Sequence, residues 1–162
     1  MPGNDAPWRA LYQRVLAANT YKVHVGVLSA KGGNSKHAGS KLTLVELAAI
    51  HEFGTADGHI PARSFIRSTL YVRSAAALAQ KVEAAAKLVI AGKLDAKKAL
   101  ELLGTFAASE IKNTITLNEA DGYGEYGYPP LADSTIKAKG SSVPLIDTGQ
   151  LKNSITYAVV TE

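Results

Sequence analysis

The chain of 162 residues contains no cysteine. This absence excludes disulfide bonds, thiolate metal sites and thiol nucleophiles, and it is compatible with a reducing compartment. No apolar run approaches the ~20 residues needed to cross a bilayer, and the first residues lack the basic and apolar regions of a signal peptide. The formal net charge is only +4. The composition therefore predicts a globular protein with no membrane partner, and it does not by itself indicate nucleic-acid binding.

Catalytic motifs are also missing. The sequence HEFG at 51–54 begins like a zinc-protease helix, but the second histidine of that motif is replaced by Thr55. The sequence GSK at 39–41 has the wrong order for a phosphate-binding loop, and there is no Gly-x-Ser-x-Gly elbow. The four histidines do not have the spacing of metal ligands. These patterns predict a protein that is not an enzyme and has no metal or cofactor, and His51 is expected to bond a backbone carbonyl from a helix face.

Hydrophobic periodicity predicts an α+β fold. The segment 20–29 alternates apolar and polar residues as a half-buried strand does, and the β-branched residues after Ile155 predict a second strand. Helical spacing is present near the N-terminus, at 42–53, after Asp95 and at 131–139. Residues 62–91 contain no proline or glycine and many alanines, which predicts one long helix. We expect a single domain at 1–162 in which several helices cover a small antiparallel sheet.

Cap residues suggest where several helices begin and end. Asp5 is predicted to cap the first helix, and Gly54 to end the helix at 42–53. Asp147, with Gln150 three residues later, is predicted to form a capping box on a short helical turn. Gly140 is predicted to end the helix at 131–139.

Two long loops are the candidate contact surfaces. The loop at 30–41 is rich in glycine and lysine, and at this length it is expected to be mobile or to be ordered by a partner. The loop at 118–130 is rich in glycine and tyrosine, and tyrosine provides a large contact area at low entropic cost. The candidate contact residues on these loops are Lys31, Lys36, Lys41, Tyr123, Tyr126 and Tyr128.

Two separated segments carry a resemblance to one family. The first runs from IHEFGT at 50–55 to IPARSFI at 60–66, and it resembles the "hEFGT…iPaRpFl" signature of tail-completion and neck proteins of long-tailed bacteriophages, also described as virion morphogenesis or tail-component proteins. The second comprises PLADSTI at 130–136, KG at 139–140 and LIDTGQLKNSI at 145–155, and it resembles the ending of the same family. Ser64 departs from the signature, which more often has proline there.

The resemblance implies a structural virion protein of the head–tail junction, assembled in the cytoplasm of the bacterial host. Such proteins form a homo-oligomeric ring, most often a hexamer, between the portal and connector proteins and the tail tube or tail terminator protein. DNA passes through the ring without sequence-specific recognition. The residues that match the signature are expected to form the fold and to seat the long helix; they are Glu52, Phe53, Gly54, Pro61, Arg63, Phe65, Asp147, Thr148, Gly149 and Leu151.

Two other hypotheses remain open. The first is a basic DNA-binding module that uses the loop at 30–41 and the helix residues Arg63, Arg67, Arg73, Lys93, Lys97 and Lys98. The alternative is that these basic residues belong to ordinary solvated helix faces and a soluble loop and do not form a nucleic-acid-binding patch. The second is a small hydrolase or metal enzyme whose motifs are too divergent to match.

Overall fold

The computed structural model describes residues 5–121, 128–140 and 142–161, and it confirms the α+β prediction. Its helices are α1 (Ala6–Asn19), α2 (Leu44–Phe53), α3 (Ala75–Ile90), α4 (Ala96–Asp121), α5 (Asp133–Lys139) and α6 (Gln150–Ser154), and its strands are β1 (Tyr21–Val27) and β2 (Ile155–Thr161). No helix in the described ranges is long and apolar enough to span a membrane.

The two strands form a two-stranded antiparallel sheet. Its register pairs Tyr21 with Thr161 at one end and Val27 with Ile155 at the other. Alternate side chains of β1 are half-buried or exposed, as the sequence pattern predicted. The pairing joins segments that lie near the two ends of the chain.

Helix α4 is the longest helix and packs across the sheet. Ile111 and Ile115 are fully buried, and they belong to a core that also contains Ile155 of β2. Gly104 allows the close approach, because a Cβ there would lie 2.6 Å from the Tyr157 ring and 2.9 Å from Val23. The predicted apolar stripe of this helix therefore does face the core.

The predicted helix at 62–91 is wrong at its start. Residues 61–64 are not helical, a π-helical turn occupies Thr69–Arg73, and α3 begins only after Ser74. Ser74 is buried, and its hydroxyl donates a hydrogen bond to the Glu110 carboxylate at 2.6 Å. This side-chain bond to α4 marks the junction between the π-helical turn and α3. The alanine-rich helix is thus shorter than the sequence indicated, and α4 is the long one.

The loop at 30–41 is attached to the body of the subunit by its own backbone. The Gly33 carbonyl accepts a bond from Val45 N–H at 3.0 Å, and the Ser35 carbonyl accepts one from Leu44 N–H at 2.9 Å. The adjoining helix α2 begins with a capping box between Thr43 and Glu46. The loop composition predicts mobility or ordering by a partner, but the subunit itself supplies these ordering contacts.

Candidate functional site

The residues of the first signature segment converge on the carboxylate of Glu52. Three consecutive backbone N–H groups donate to this carboxylate: Phe65 at 2.9 Å, Ile66 at 2.8 Å and Arg67 at 3.0 Å. The Ser64 hydroxyl donates at 2.7 Å. In a helix, such N–H groups of the first turn have no partner within the helix. A glutamate from α2 therefore caps the turn that leads toward α3.

Glu52 is buried, with only 3% of its surface exposed. Burial on its own raises the pKa of this carboxyl, but the bonds from Ile66 N–H, the Ser64 hydroxyl and Arg67 outweigh it and hold the pKa below its usual value. The Arg67 Nε lies 2.9 Å from the carboxylate and completes the charge pairing. Glu52 is thus an ionised, fully bonded structural group.

The surrounding signature residues shape the same turn. Gly54 ends α2 with a positive φ of 76°, and its N–H donates to the Ile50 carbonyl at 2.8 Å. Pro61 is half-buried in the irregular stretch that follows. Phe53 is exposed, and the guanidinium of Arg67 lies 4.7 Å from the centre of its ring. The predicted helix-ending role of Gly54 is confirmed.

Arg63 connects the first signature segment to the second. Its side chain is buried, its Nε donates to the Pro129 carbonyl at 3.1 Å, and its Nη2 donates to the Pro130 carbonyl at 3.0 Å. The Phe65 side chain is completely buried in the cluster that contains Leu145 and Leu151. The two segments that carry the family resemblance are therefore neighbours in space.

The predicted capping box at Asp147 is wrong. The N-cap of α6 is Gly149, with a φ of 75°, and the Thr148 hydroxyl accepts a bond from the Gln150 N–H at 3.4 Å. Gln150 is the first helical residue, and its Oε1 accepts a bond from Ala38 N–H at 2.9 Å, which ties α6 to the loop at 30–41. Asp147 and Thr148 are exposed. The left-handed conformation of Gly149 is what positions the turn.

A cavity of about 310 Å³ lies between α2, α5, α6 and this loop, and His51 lines it together with His37 and Lys139. His51 Nδ1 is buried and has no hydrogen-bond partner among the described residues, so the expected bond from its ring to a backbone carbonyl is not observed at that atom. Burial, and next the positive charge of Arg63, lower the pKa of His51 to about 4. Within the described residues, no group of three or more histidine, aspartate and glutamate side chains could hold a metal ion.

The predicted contact residues differ in their exposure to solvent. Lys31, Lys36 and Lys41 are exposed on the loop at 30–41. Tyr128 is buried in the core, so the prediction that it is a contact residue is wrong. Burial, with the Glu52 charge adding to it, raises the pKa of its hydroxyl above the usual range. Tyr123 and Tyr126 lie outside the described residues.

The helix residues of the DNA-binding hypothesis do not form one free basic surface. Arg63 is buried and bonded to carbonyls, and Arg67 is paired with Glu52. Arg73, Lys93, Lys97 and Lys98 are exposed. Because Arg63 and Arg67 are engaged within the subunit, the hypothesis now depends on the loop lysines and on these four exposed residues.

Sequence reasoning missed an apolar surface on the helices. None of the fourteen residues of α1, all of them described, is buried. Trp8 is 73% exposed and Tyr12 is 61% exposed. A second exposed apolar area lies on α3 and α4, where Leu102 is 54% exposed. The large apolar residues of α1 have the i, i+3, i+4, i+7, i+8 spacing of an ordinary core-facing stripe, so the sequence carried no signal that separates this surface from a core face.

No family model, no curated protein and no solved structure matches this chain.

Proposed function

We propose that the chain is a structural component of the head–tail junction of a long-tailed bacteriophage. It acts as a ring-forming tail-completion or neck subunit that joins the portal and connector to the tail and leaves a passage for DNA. The observation that carries the proposal is the contact between the two signature segments through Arg63 and the carbonyls of Pro129 and Pro130. A resemblance shared by two distant segments is more specific when those segments build one structural unit.

The environment of Glu52 supports a structural role for the signature. Its carboxylate accepts bonds from backbone and side-chain groups of the same chain, so it has little capacity left for a substrate. The exposed apolar surface on α1, α3 and α4 supports assembly, because large exposed apolar patches commonly mark protein interfaces. A ring is built from a heterologous contact that closes by rotation.

The proposal is tested in the phage whose genome encodes the chain. A stop codon early in the gene is expected to yield DNA-filled heads and separate tails in negative-stain micrographs, with loss of infectivity. Expression of the native chain from a plasmid is the control, and it is expected to restore joined particles. Mass spectrometry of purified native particles is expected to detect the chain. Joined, infectious particles in the absence of the chain would overturn the proposal.

A further inference from the structure

Helix α1 is weakly anchored to its own subunit. Its half-buried residues are Leu11, Arg14 and Ala18, and the Arg14 guanidinium donates to the Ile90 carbonyl at 2.7 Å. Isolated helices shorter than ~12–15 residues are marginal in water, and most helices are stabilised by packing of an apolar face. The fourteen residues of α1 therefore lack the burial that usually stabilises a helix of this length.

A second apolar side of α1 lies next to the anchored side and is largely exposed, and Val15 at its edge also borders a cavity against α3 and α4. Trp8, Tyr12, Val15 and Leu16 are three or four residues apart or adjacent, so they form one stripe beside the anchored side. We call these four residues the α1 stripe. Side chains of this size, at these exposures, present on the order of 400 Å². That is about half of the ~800 Å² that one partner contributes to a standard protein interface.

A concave apolar surface lies between α3 and α4. The α3–α4 groove is a cavity of about 340 Å³, and its lining includes Leu88, Leu94, Leu102 and Phe106. Lys81 stands at this groove with its Nζ 4.6 Å from the centre of the Phe106 ring. An apolar centre with a charged side chain beside it resembles the core and rim of protein interfaces.

The α1 stripe and the α3–α4 groove are on different sides of the same subunit. Ala85 and Leu103 line the groove, and they also line a separate cavity of about 280 Å³ that Val15 of α1 borders. The line of contact between α3 and α4 therefore separates α1 from the groove. With α1 anchored at Ile90, its stripe is kept on the far side of α3 from the groove of its own chain.

We infer that the α1 stripe of one copy docks into the α3–α4 groove of a second copy of this chain. The convex stripe rich in aromatic side chains and the concave leucine-rich groove form two different faces, as a heterologous contact requires. The inference deepens the proposed function and rests on it, since a closed ring needs one such pair of faces on every subunit. Docking covers the exposed side of α1 and supplies its missing packing.

The test uses two single variants of the full chain, Trp8→Glu and Leu102→Glu. Each places a charge at the centre of one face, at a position that is at least half exposed in the subunit. Gln13→Glu, on another side of α1, is the matched control for added charge. Circular dichroism and thermal unfolding establish that each variant is folded, and sedimentation velocity over a concentration series measures self-association.

The native chain and Gln13→Glu are expected to form the same oligomer. Each face variant alone is expected to lose it, with self-association weakened by at least about 30-fold. An equimolar mixture of the two face variants is expected to form a one-to-one dimer. In that mixture, the intact groove of the Trp8→Glu chain can accept the intact stripe of the Leu102→Glu chain, but no further contact is possible.

Three results would overturn the inference: a native chain that stays monomeric at about 100 µM, face variants that assemble like the native chain, or a mixture that remains monomeric. A native oligomer that survives both substitutions removes this interface but leaves the proposed ring standing. Absence of the chain from phage particles removes the proposed function whatever the sedimentation result.

Discussion

The carboxylate of Glu52 accepts a hydrogen bond at 2.8 Å from the backbone N–H of Ile66, fourteen residues further along the chain. This bond joins the end of α2 to the turn that leads toward α3. Phe65 directly precedes Ile66 in the sequence, and its side chain is completely buried in the main core. A polar contact at the edge of the core thus fixes the position of Phe65, the largest fully buried side chain among the described residues.

Replacing Glu52 with glutamine is expected to destabilise the subunit by about 2–4 kcal/mol, because the amide is neutral and its NH₂ would face N–H donors. Urea denaturation followed by circular dichroism measures the free energy of unfolding. Glu83→Gln is the matched control, since Glu83 forms an exposed ion pair with Lys87 and should cost less than about 0.5 kcal/mol. Equal effects of the two substitutions would contradict the capping role of Glu52.

The stability of the subunit is expected to fall as the pH is lowered from 7.5 to 5. Burial lowers the pKa of His51 from 6.5 to about 4. Below about pH 6.5 the unfolded chain therefore binds a proton that the folded chain does not, and unfolding becomes easier. The loss should be on the order of 2 kcal/mol by pH 5, and it should be absent above pH 7.

His51→Gln removes the titrating group and is expected to flatten this pH profile in urea denaturation. His59→Gln, at an exposed position, is the control for loss of a histidine and should keep the native slope. If the free energy of unfolding of His51→Gln depends on pH as that of the native chain does, another group causes the pH dependence.

Alanine substitutions at Gly54 and Gly58 distinguish the stability cost of backbone strain from that of a steric conflict. Gly54→Ala is expected to cost at least about 2–3 kcal/mol, since Gly54 has a φ of 76° and a Cβ there would lie 2.9 Å from the Ala62 nitrogen and the Ile60 oxygen. Gly58→Ala has a similar φ of 71° but meets nothing within 4 Å, so it should cost only about 1–2 kcal/mol. Thermal unfolding of both variants measures the difference. A smaller effect at Gly54 than at Gly58 would contradict the close approach.

The loop lysines distinguish the proposed ring from a DNA-binding module. If subunits join through the α1 stripe and the α3–α4 groove, replacing Lys31, Lys36 and Lys41 together with alanine leaves self-association unchanged. Under the proposed function the native chain binds duplex DNA only weakly at ~150 mM salt. Fluorescence anisotropy over a salt series measures this binding. Tight binding that falls steeply with salt and disappears in the triple variant would favour the DNA-binding module instead.

Some of the fold could be predicted because its signals are local. The alternation in β1 and the buried stripe of α4 follow from side-chain periodicity, and both segments adopt the predicted structure. Gly54 ends α2 as expected, because a glycine after an apolar helical segment supplies the positive φ that the turn requires.

Other features depend on partners that are distant in the chain. Nothing local indicates that Glu52 receives N–H groups from 65–67, so the predicted helix began too early. Gln150 bonds to Ala38 across 112 positions, and this contact replaces the predicted capping box. Tyr128 was interpreted as a contact residue from the composition of its loop, although the core encloses it.

The α1 stripe shows a further limit of sequence reasoning. Trp8, Tyr12, Val15 and Leu16 have the spacing of a core-facing helix, and periodicity does not tell whether such a side packs on its own chain or on a neighbour. Only the exposure of these side chains in the folded subunit makes the distinction.

The pairing of β1 with β2 has a consequence for synthesis in the cell. Because Tyr21 pairs with Thr161, the sheet cannot form until β2 has emerged from the ribosome, long after β1. Until then, the sheet face of α4 has no complete surface to cover it. The sheet and the core beneath it are therefore completed only after β2 has been synthesised, because their contacts join residues that are far apart in sequence.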